Sequence, residues 1–137
     1  MFTDEYDLLA QPPAPEDYCR LRALAGLSAK PPEAARLGLA GTYFGVTLLH
    51  SGAVVGMGRI IGDGGCFFQV VDIAVLPEHQ GRGLGKRIMG ALIAHLQQNA
   101  PSSAYVSLLA DGKAQHLYEQ FGFRLSAPAS VGMYLRL

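Results

Sequence analysis

The strongest pattern of apolar and polar positions lies in the second half of the chain. Apolar residues recur there at every fourth position: Leu84, Ile88, Leu92 and Leu96. Such spacing places them on one face of a helix, which we predict over Lys86–Gln98 and expect to pack against a core. The residues before it, Val70–Leu76, are rich in β-branched side chains and predict a strand.

Weaker patterns along the rest of the chain predict alternating helices and strands. Further helices are predicted at Glu16–Leu27, from Pro31 to about Gly41, and at Lys113–Gln120. Strands are predicted at Thr42–His50, Ala53–Ile61, Cys66–Leu76, Tyr105–Leu109, Gly122–Phe123 and Met133–Leu137, and an amino-terminal strand could precede Pro12.

The order of these elements predicts an α/β fold built on one mixed sheet. Short turns connect the middle strands, so the sheet begins as an antiparallel meander. The succession of Cys66–Leu76, a helix and Tyr105–Leu109 instead predicts a right-handed parallel crossover. The dense apolar content of Cys66–Leu76 further predicts that this strand is buried on both faces.

Composition narrows the class of protein. With 137 residues, 50% of them hydrophobic and 16% charged, the chain is predicted to form a single domain over residues 1–137. Its 11 basic and 11 acidic residues balance, which argues against a nucleic-acid partner. No apolar run approaches the roughly 20 residues that span a bilayer, and the acidic start Met1–Asp7 is unlike a signal peptide. We therefore expect a cytoplasmic location, no membrane partner, and two reduced thiols at Cys19 and Cys66 without a metal.

A glycine-rich segment, Gln80–Gly85, separates the β-branched run from the helix. Such a turn exposes backbone N–H groups at the positive end of the helix dipole, where phosphate groups bind. Its glycines Gly81, Gly83 and Gly85 let the backbone approach a pyrophosphate closely. Because Lys86 in the first helical turn opposes the dipole, a bound anion would relieve a conflict. The segment therefore predicts an anion site.

Two nucleotide-binding motifs fail at this segment. A P-loop requires Gly-x-x-x-x-Gly-Lys-Ser/Thr, but Gln80 replaces its first glycine and Arg87 its hydroxyl residue. A dinucleotide-binding turn requires Gly-x-Gly-x-x-Gly, but Lys86 replaces its third glycine. Nucleotide hydrolysis and hydride transfer are therefore not expected.

The pattern that does match is Gln/Arg-x-x-Gly-x-Gly/Ala, present as Gln80-x-x-Gly83-x-Gly85. It resembles the acetyl-CoA pyrophosphate loop of the GNAT superfamily of N-acetyltransferases. The run Asp72–Gln80 likewise resembles the central strand of that family and its exit.

The resemblance extends downstream, where Ala114-x-x-x-Tyr118-x-x-x-Gly122-Phe123 is similar to the next helix and strand of the family. It covers nearly the whole chain. It implies the GNAT fold, in which an antiparallel meander leads into a parallel pair of strands that splay apart, with helices on both faces.

The resemblance implies acetyl-CoA as the cosubstrate. It assigns the binding of this molecule to the strand, the loop and the segment around the next helix: Ile73, Ala74, Val75, Gln80, Gly81, Arg82, Gly83, Leu84, Gly85, Lys86, Asp111, Lys113 and Tyr118. In the family, the pantetheine arm pairs with backbone groups that the splayed strand leaves free, a role that falls on Ile73 and Val75. A fully paired core strand is the alternative.

The same resemblance makes Tyr118 the general acid that protonates the leaving thiolate. A phenol has a pKa of about 10, so it stays protonated at neutral pH and can donate. The residues alone favour a core tyrosine, because Tyr118 shares a helical face with Leu117 and Phe121. Asp111 stands where many relatives carry asparagine and lacks the amide donors, so Asp111-Gly112 could simply form a turn.

The general base is less well defined. Histone-acetylating relatives use a glutamate, but Gln69 occupies that position and cannot accept a proton. Asp72 is one alternative; equally, it could be a structural partner for Arg59. Further candidates are Asp63, His50, His79 and His116. A water relay without a dedicated base is also compatible with the sequence.

We therefore predict an acetyl-CoA-dependent N-acetyltransferase that transfers the acetyl group directly to a primary amine in a ternary complex. One alternative is an acyltransferase that uses a longer acyl-CoA. The other is a non-catalytic module that binds acyl-CoA. A small-molecule amine is the expected partner, its identity is left open, and the family also admits a homodimer.

Overall fold

A five-stranded mixed sheet organises the molecule. The computed structural model describes residues 5–137, so Met1–Asp4, part of the acidic start considered above, lies outside the described residues. The strands are β1 (Tyr6–Leu9), β2 (Phe44–His50), β3 (Ala53–Gly62), β4 (Phe67–Val75) and β5 (Tyr105–Ser107), and they lie side by side in that order. The first three pairings are antiparallel and the β4–β5 pairing is parallel, which confirms the predicted α/β fold.

In the described part of the chain, four helices flank this sheet: α1 (Pro15–Leu24), α2 (Pro32–Ala40), α3 (Leu84–Asn99) and α4 (Gln115–Glu119). Both α1 and α2 begin at a proline, whose fixed φ suits the first helical turn. Single 3₁₀ turns, Pro77–His79 and Gly112–Ala114, precede α3 and α4. Within residues 5–137, no helix combines the length and apolar character required to cross a membrane.

The core lies between α3 and the middle of the sheet. The apolar face of α3 is buried as its spacing predicts, at Leu84, Ile88, Met89, Leu92 and Leu96. On the opposite face of the sheet, α1 packs against β3 and β4. Its buried residues are Tyr18, Leu21 and Arg22. The sheet is therefore covered on both faces, as in a three-layer α/β domain.

α3 packs closely against the sheet at Gly58 in β3. A Cβ atom at this position would lie 2.5 Å from Cγ2 of Ile88 and 2.8 Å from Cδ1 of Ile73. Both distances are shorter than real carbon contacts, so the packing of α3 on the sheet requires glycine here.

We expect Gly58→Ala to lower the free energy of unfolding by about 1–3 kcal/mol, because the added methyl group overpacks the α3 interface. The matched control is Gly38→Ala in α2, where nothing lies within 4 Å of the new Cβ. Alanine favours a helix interior by about 0.5–1 kcal/mol over glycine, so the control should be neutral or stabilising. Urea denaturation measures both variants, and equal effects would contradict the close approach.

The two closing strands predicted at Gly122–Phe123 and Met133–Leu137 are wrong. Gly122 adopts a φ of +91° and ends α4, because its N–H and that of Phe123 bond back to carbonyls of the helix. Residues 124–137 form no strand in the structure. The parallel strand is also shorter than predicted, since β5 ends at Ser107.

Two further expectations on burial are corrected. The sequence of the first predicted helix places Cys19, Leu21, Leu24 and Leu27 roughly on one side, which predicts their burial. Leu24 is instead 56% exposed, and Tyr18 and Arg22 are buried together with Leu21. Burial of β4 on both faces is also wrong, because Phe67 is 64% exposed and alternate residues of the strand are only partly buried. The partly buried face borders a cavity, which belongs to the site described next.

Candidate active site

The segment Gln80–Gly85 forms a tight loop at the amino terminus of α3. Gly81 and Gly83 adopt left-handed conformations with φ of +79° and +77°, which side chains other than glycine rarely adopt. Gly83 caps α3 without any side-chain hydrogen bond. The first helical hydrogen bond runs from the N–H of Arg87 to the carbonyl of Gly83. The N–H groups of residues 84–86 therefore point outward without a helical acceptor, as an anion site requires.

The other residues predicted around this loop divide into two groups. Leu84 and Ala74 are buried, at 6% and 5% exposure, so only their backbone groups could reach a ligand. Arg82 and Lys86 are exposed and add positive charge at the mouth of the loop. No acidic residue lies in the first turn of α3 to offset that charge.

The side chain of Gln80 ties this loop to the end of β4. Its Nε2 donates to the carbonyl of Val75 over 2.9 Å. Because the N–H of Leu76 donates to Val55 in β3, the backbone groups of the neighbouring Val75 face the other edge of β4. The hydrogen bond from Gln80 therefore holds the loop to β4, and it lies at the edge of β4 that faces away from β3.

That edge of β4 is open along most of its length. The parallel pairing with β5 covers only three residue pairs, which join Phe67–Gln69 to Tyr105–Ser107. Beyond Gln69, β4 continues to Val75 with no partner on this side among the described residues. The two strands therefore splay apart, and the open edge leaves backbone groups of Ile73 and Val75 available for a ligand.

A bulge occurs in β4 within this open stretch. The register with β3 shifts between Met57 and Arg59, and Asp72 opposite them has a φ of +62°. A left-handed aspartate is uncommon in a strand and needs support from its surroundings. Here the support comes from hydrogen bonds to its carboxylate, which two other elements supply.

Three side chains donate to the carboxylate of Asp72. The hydroxyl of Tyr18 in α1 and Nε of Arg59 in β3 reach Oδ2 at 2.9 Å and 2.8 Å. The guanidinium of Arg22 in α1 donates to Oδ1. The side chains of Asp72, Arg22 and Arg59 are each less than 10% exposed. Burial, followed by the charge of Asp72, raises the pKa of Tyr18 and keeps it a neutral donor.

Of the two interpretations left open for Asp72, this geometry favours the structural one. The predicted contact with Arg59 is present, and both carboxylate oxygens are already occupied by donors. Tyr18 and Arg22 were not recognised from the sequence. Their only signal is the i, i+4 spacing of two polar residues around the buried Leu21, which many exposed helices also have.

Tyr118 of α4 lies on the same cavity as Asp72 and Ile73, a space of about 590 Å³. The side chain is partly buried, and within residues 5–137 its hydroxyl has no hydrogen-bond partner. Burial raises the pKa of Tyr118, and the nearby charge of Asp111 raises it further. Tyr118 is therefore a protonated donor that lines the same cavity as the open stretch of β4.

The 3₁₀ turn before α4 carries the remaining predicted residues. Asp111 begins this turn and contributes to the lining of the cavity, whereas Lys113 is exposed and does not. The structure thus brings Asp72, Ile73, Asp111 and Tyr118 to one cavity. The glycine loop lies at the far end of the same open strand edge.

The other base candidates lie outside this cavity lining. Asp63 accepts three backbone N–H groups in the turn between β3 and β4, and these bonds lower its pKa. His50 and His79 cluster with Tyr6 of β1. His116 is exposed and lies 3.6 Å from Glu119. The described residues contain no group of three or more His, Cys, Asp or Glu side chains that could hold a metal ion.

Comparison with known families agrees with this architecture. Residues 41–125 match the family model described as an acetyltransferase (GNAT) domain. The chain belongs to the GNAT acetyltransferase family. Proteins of this family use acetyl-CoA, and the matched residues contain β2 to β5, the glycine loop and Tyr118.

A crystal structure resembles the GNAT chain over almost its full length. It is that of a protein of unknown function from meticillin-resistant Staphylococcus aureus, described as a probable acetyltransferase. The two chains are 45% identical with a TM-score of 0.92, and the match covers 96% of this chain and 99% of that one.

Two named relatives match over shorter stretches. The ribosomal protein bS18-alanine N-acetyltransferase of Haemophilus influenzae is 29% identical over 59% of this chain and 55% of its own length. The chloroplastic GCN5-related N-acetyltransferase 2 of Arabidopsis thaliana is 32% identical over 59% of this chain and 31% of its own. The match thus spans about half or less of the length of these relatives. The first is named for a specific acceptor, whereas the name of the second specifies none.

Proposed function

We propose that this GNAT chain catalyses the transfer of an acetyl group from acetyl-CoA to a primary amine. The observation that carries the proposal is the open edge of β4, which runs from the glycine loop to Tyr118 with no partner strand beyond Gln69. A ligand that carries a phosphate at one end and an extended amide chain at the other matches that edge. Acetyl-CoA has this shape and supplies an activated acetyl thioester.

The residues at the loop suit the phosphate end of the ligand. The outward N–H groups of residues 84–86 and the left-handed Gly81 and Gly83 form the cradle, and Arg82 and Lys86 add charge. Along the strand, the backbone groups of Ile73 and Val75 would pair with the amide chain, as a neighbouring strand would do. Ala74 and Leu84 have buried side chains, so these two residues would contact the ligand only through their backbone groups.

Tyr118 is proposed to donate the proton that the leaving thiolate requires. Its hydroxyl is accessible from the cavity, is not engaged elsewhere in the described residues and has a raised pKa. A raised pKa keeps the phenol protonated across the physiological range, which suits a donor and excludes a base at neutral pH.

The proton of the attacking ammonium is proposed to leave through water. Asp72, the carboxylate nearest the bulge, already accepts hydrogen bonds from Tyr18, Arg22 and Arg59, so a base role would require it to exchange these partners. Gln69 cannot accept a proton. The main contribution of the protein would then be orientation of the two substrates, which lowers the entropic part of the barrier.

A thiol-release assay over a library of amines tests this function. Release of CoA that depends on an added amine is the expected result, together with an acetylated amine detected by mass spectrometry. Binding of acetyl-CoA without turnover on any amine would favour a non-catalytic acyl-CoA-binding module. Faster turnover with a longer acyl-CoA would favour the other alternative. A cytoplasmic location and the absence of nucleic-acid or membrane partners stay predictions from the sequence.

The conformation of the loop gives a second test. We expect Gly83→Ala to raise the dissociation constant for CoA about tenfold, equivalent to 1.4 kcal/mol, because a left-handed alanine is strained and the loop should relax away from the cradle. Isothermal titration calorimetry measures the change.

The matched control is Gly64→Ala, in the turn between β3 and β4. Gly64 has a φ of +84° and no atom within 4 Å of the new Cβ, so the backbone strain is the same. Both variants should lose similar stability, while only Gly83→Ala should lose affinity for CoA. Equal affinities in the two variants would contradict the role of the loop.

A further inference from the structure

One wall of the cavity beside Tyr118 carries an unbalanced buried charge. Two guanidinium groups, those of Arg22 and Arg59, face the single carboxylate of Asp72, and Tyr18 is neutral. The cluster therefore carries a net charge of one positive unit in a region where each charged side chain is less than 10% exposed. A buried charge without a partner is costly, so a site of this kind favours an anion.

The hydrogen-bond donors of the cluster show where the anion would bind. Each of the three guanidinium nitrogens of Arg22 has an acceptor: Nη1 donates to Asp72, while Nε and Nη2 donate to the backbone carbonyl and the hydroxyl of Ser28. Arg59 donates from Nε to Asp72 and from Nη1 to Thr42 and the carbonyl of Gly38. Its Nη2 has no acceptor among residues 5–137. Every fully buried side-chain nitrogen in the described residues has a hydrogen-bond partner. Since Nη2 of Arg59 has none, it is not fully buried and reaches accessible space.

That accessible space is the cavity, since Arg59 is part of its lining. Lys30, an exposed residue after α1, adds a second positive charge on the same wall. Asp111 and Tyr118 line the cavity as well, and Asp111 is close enough to raise the pKa of Tyr118. The cavity thus offers positive groups for an anion and a carboxylate for an ammonium group.

We propose that the acceptor is a primary amine that also carries an anionic group, a carboxylate or a phosphate, and that Nη2 of Arg59 binds this group. The inference rests on the proposed acetyl transfer, which it deepens by naming the chemical class of the acceptor. The ammonium end of the acceptor then lies toward Asp111 and Tyr118, and its anionic end lies toward Arg59 and Lys30.

Matched pairs of amines test the proposal. One pair is β-alanine and its amide, and the other is phosphoethanolamine and ethanolamine, so that the pairs distinguish a carboxylate from a phosphate. We expect kcat/KM of at least one anionic member to exceed that of its neutral counterpart by tenfold or more. Preference for the neutral member of both pairs would overturn the proposal.

Variants connect the preference to the cluster. Arg59→Lys keeps a positive charge beside Asp72 but loses the second donor arm, and Lys30→Gln removes a positive charge at an exposed position. Both are expected to lower the anionic-to-neutral ratio, Arg59→Lys by tenfold or more. Arg36→Lys in α2, an exposed arginine paired with Glu33, is the control and should leave the ratio unchanged. An unchanged ratio in both cluster variants would contradict the assignment.

Calorimetric titration of the same four amines in the presence of CoA separates this inference from the proposed function. If no amine of the library used for the proposed function is acetylated, acetyl transfer is refuted, while tighter binding of an anionic amine still supports the anion site. If acetylation occurs but neither anionic amine binds more tightly than its neutral counterpart, the anion site is refuted and the proposed function stands.

Discussion

Asp72→Ala is expected to lower the free energy of unfolding by about 3–5 kcal/mol, because it leaves Arg22 and Arg59 buried without their common counter-charge. The strained φ of +62° at this position would also lose the side-chain contacts that hold it. Urea denaturation followed by circular dichroism measures the loss as a lower transition midpoint.

The matched control for this variant is Asp17→Ala in α1. Asp17 also pairs with an arginine, Arg20, but the two side chains are 37% and 41% exposed. An exposed pair contributes about 0–1 kcal/mol, so the control should be nearly neutral. If Asp72→Ala kept wild-type stability but lost turnover, Asp72 would be the catalytic base and the structural account would be wrong.

Tyr118→Phe is expected to lower kcat by about a hundredfold or more, the usual contribution of a positioned general acid. Affinity for acetyl-CoA should change little, because the ring remains and packs near Phe123, with the ring centres 6.4 Å apart in the wild-type chain. Steady-state kinetics with a fixed acceptor, together with calorimetric titration of CoA, separates the two effects.

The control for this hydroxyl is Tyr43→Phe. Tyr43 is also partly buried and packs against Phe68, and its hydroxyl makes no hydrogen bond within residues 5–137. It should keep kcat. Because the pKa of Tyr118 is raised, the acid stays protonated as pH rises through 7 to 9, so kcat of the wild type should not fall in that range through loss of this proton. Undiminished kcat in Tyr118→Phe would contradict the acid role.

The parts of the site that were predictable from the sequence depend on local chemistry. The apolar face of α3 follows from helical spacing, and the tight loop at the start of α3 follows from the glycine-rich sequence Gln80–Gly85. The splay between β4 and β5 followed from the resemblance to the GNAT family rather than from any local pattern. In the structure, the parallel pairing of β4 with β5 is limited to three residue pairs, after which the two strands separate.

The parts that were missed depend on contacts between distant residues. Arg22 and Asp72 are 50 positions apart, and no local pattern shows that an arginine on a short helix will be buried against a bulged strand. The closing strands failed for a related reason. A segment such as Met133–Leu137 has the apolar content of a strand, but whether it pairs depends on contacts with a distant strand, which the local sequence does not specify.

The most direct test of the central claim is a crystal structure of the chain with CoA. We expect the pyrophosphate to accept hydrogen bonds from the backbone of residues 81–86, and the pantetheine arm to lie along Ile73–Val75 in the gap between β4 and β5. The thiol should end near the hydroxyl of Tyr118. CoA bound at another surface, or a gap between β4 and β5 that stays empty at saturating CoA, would contradict it.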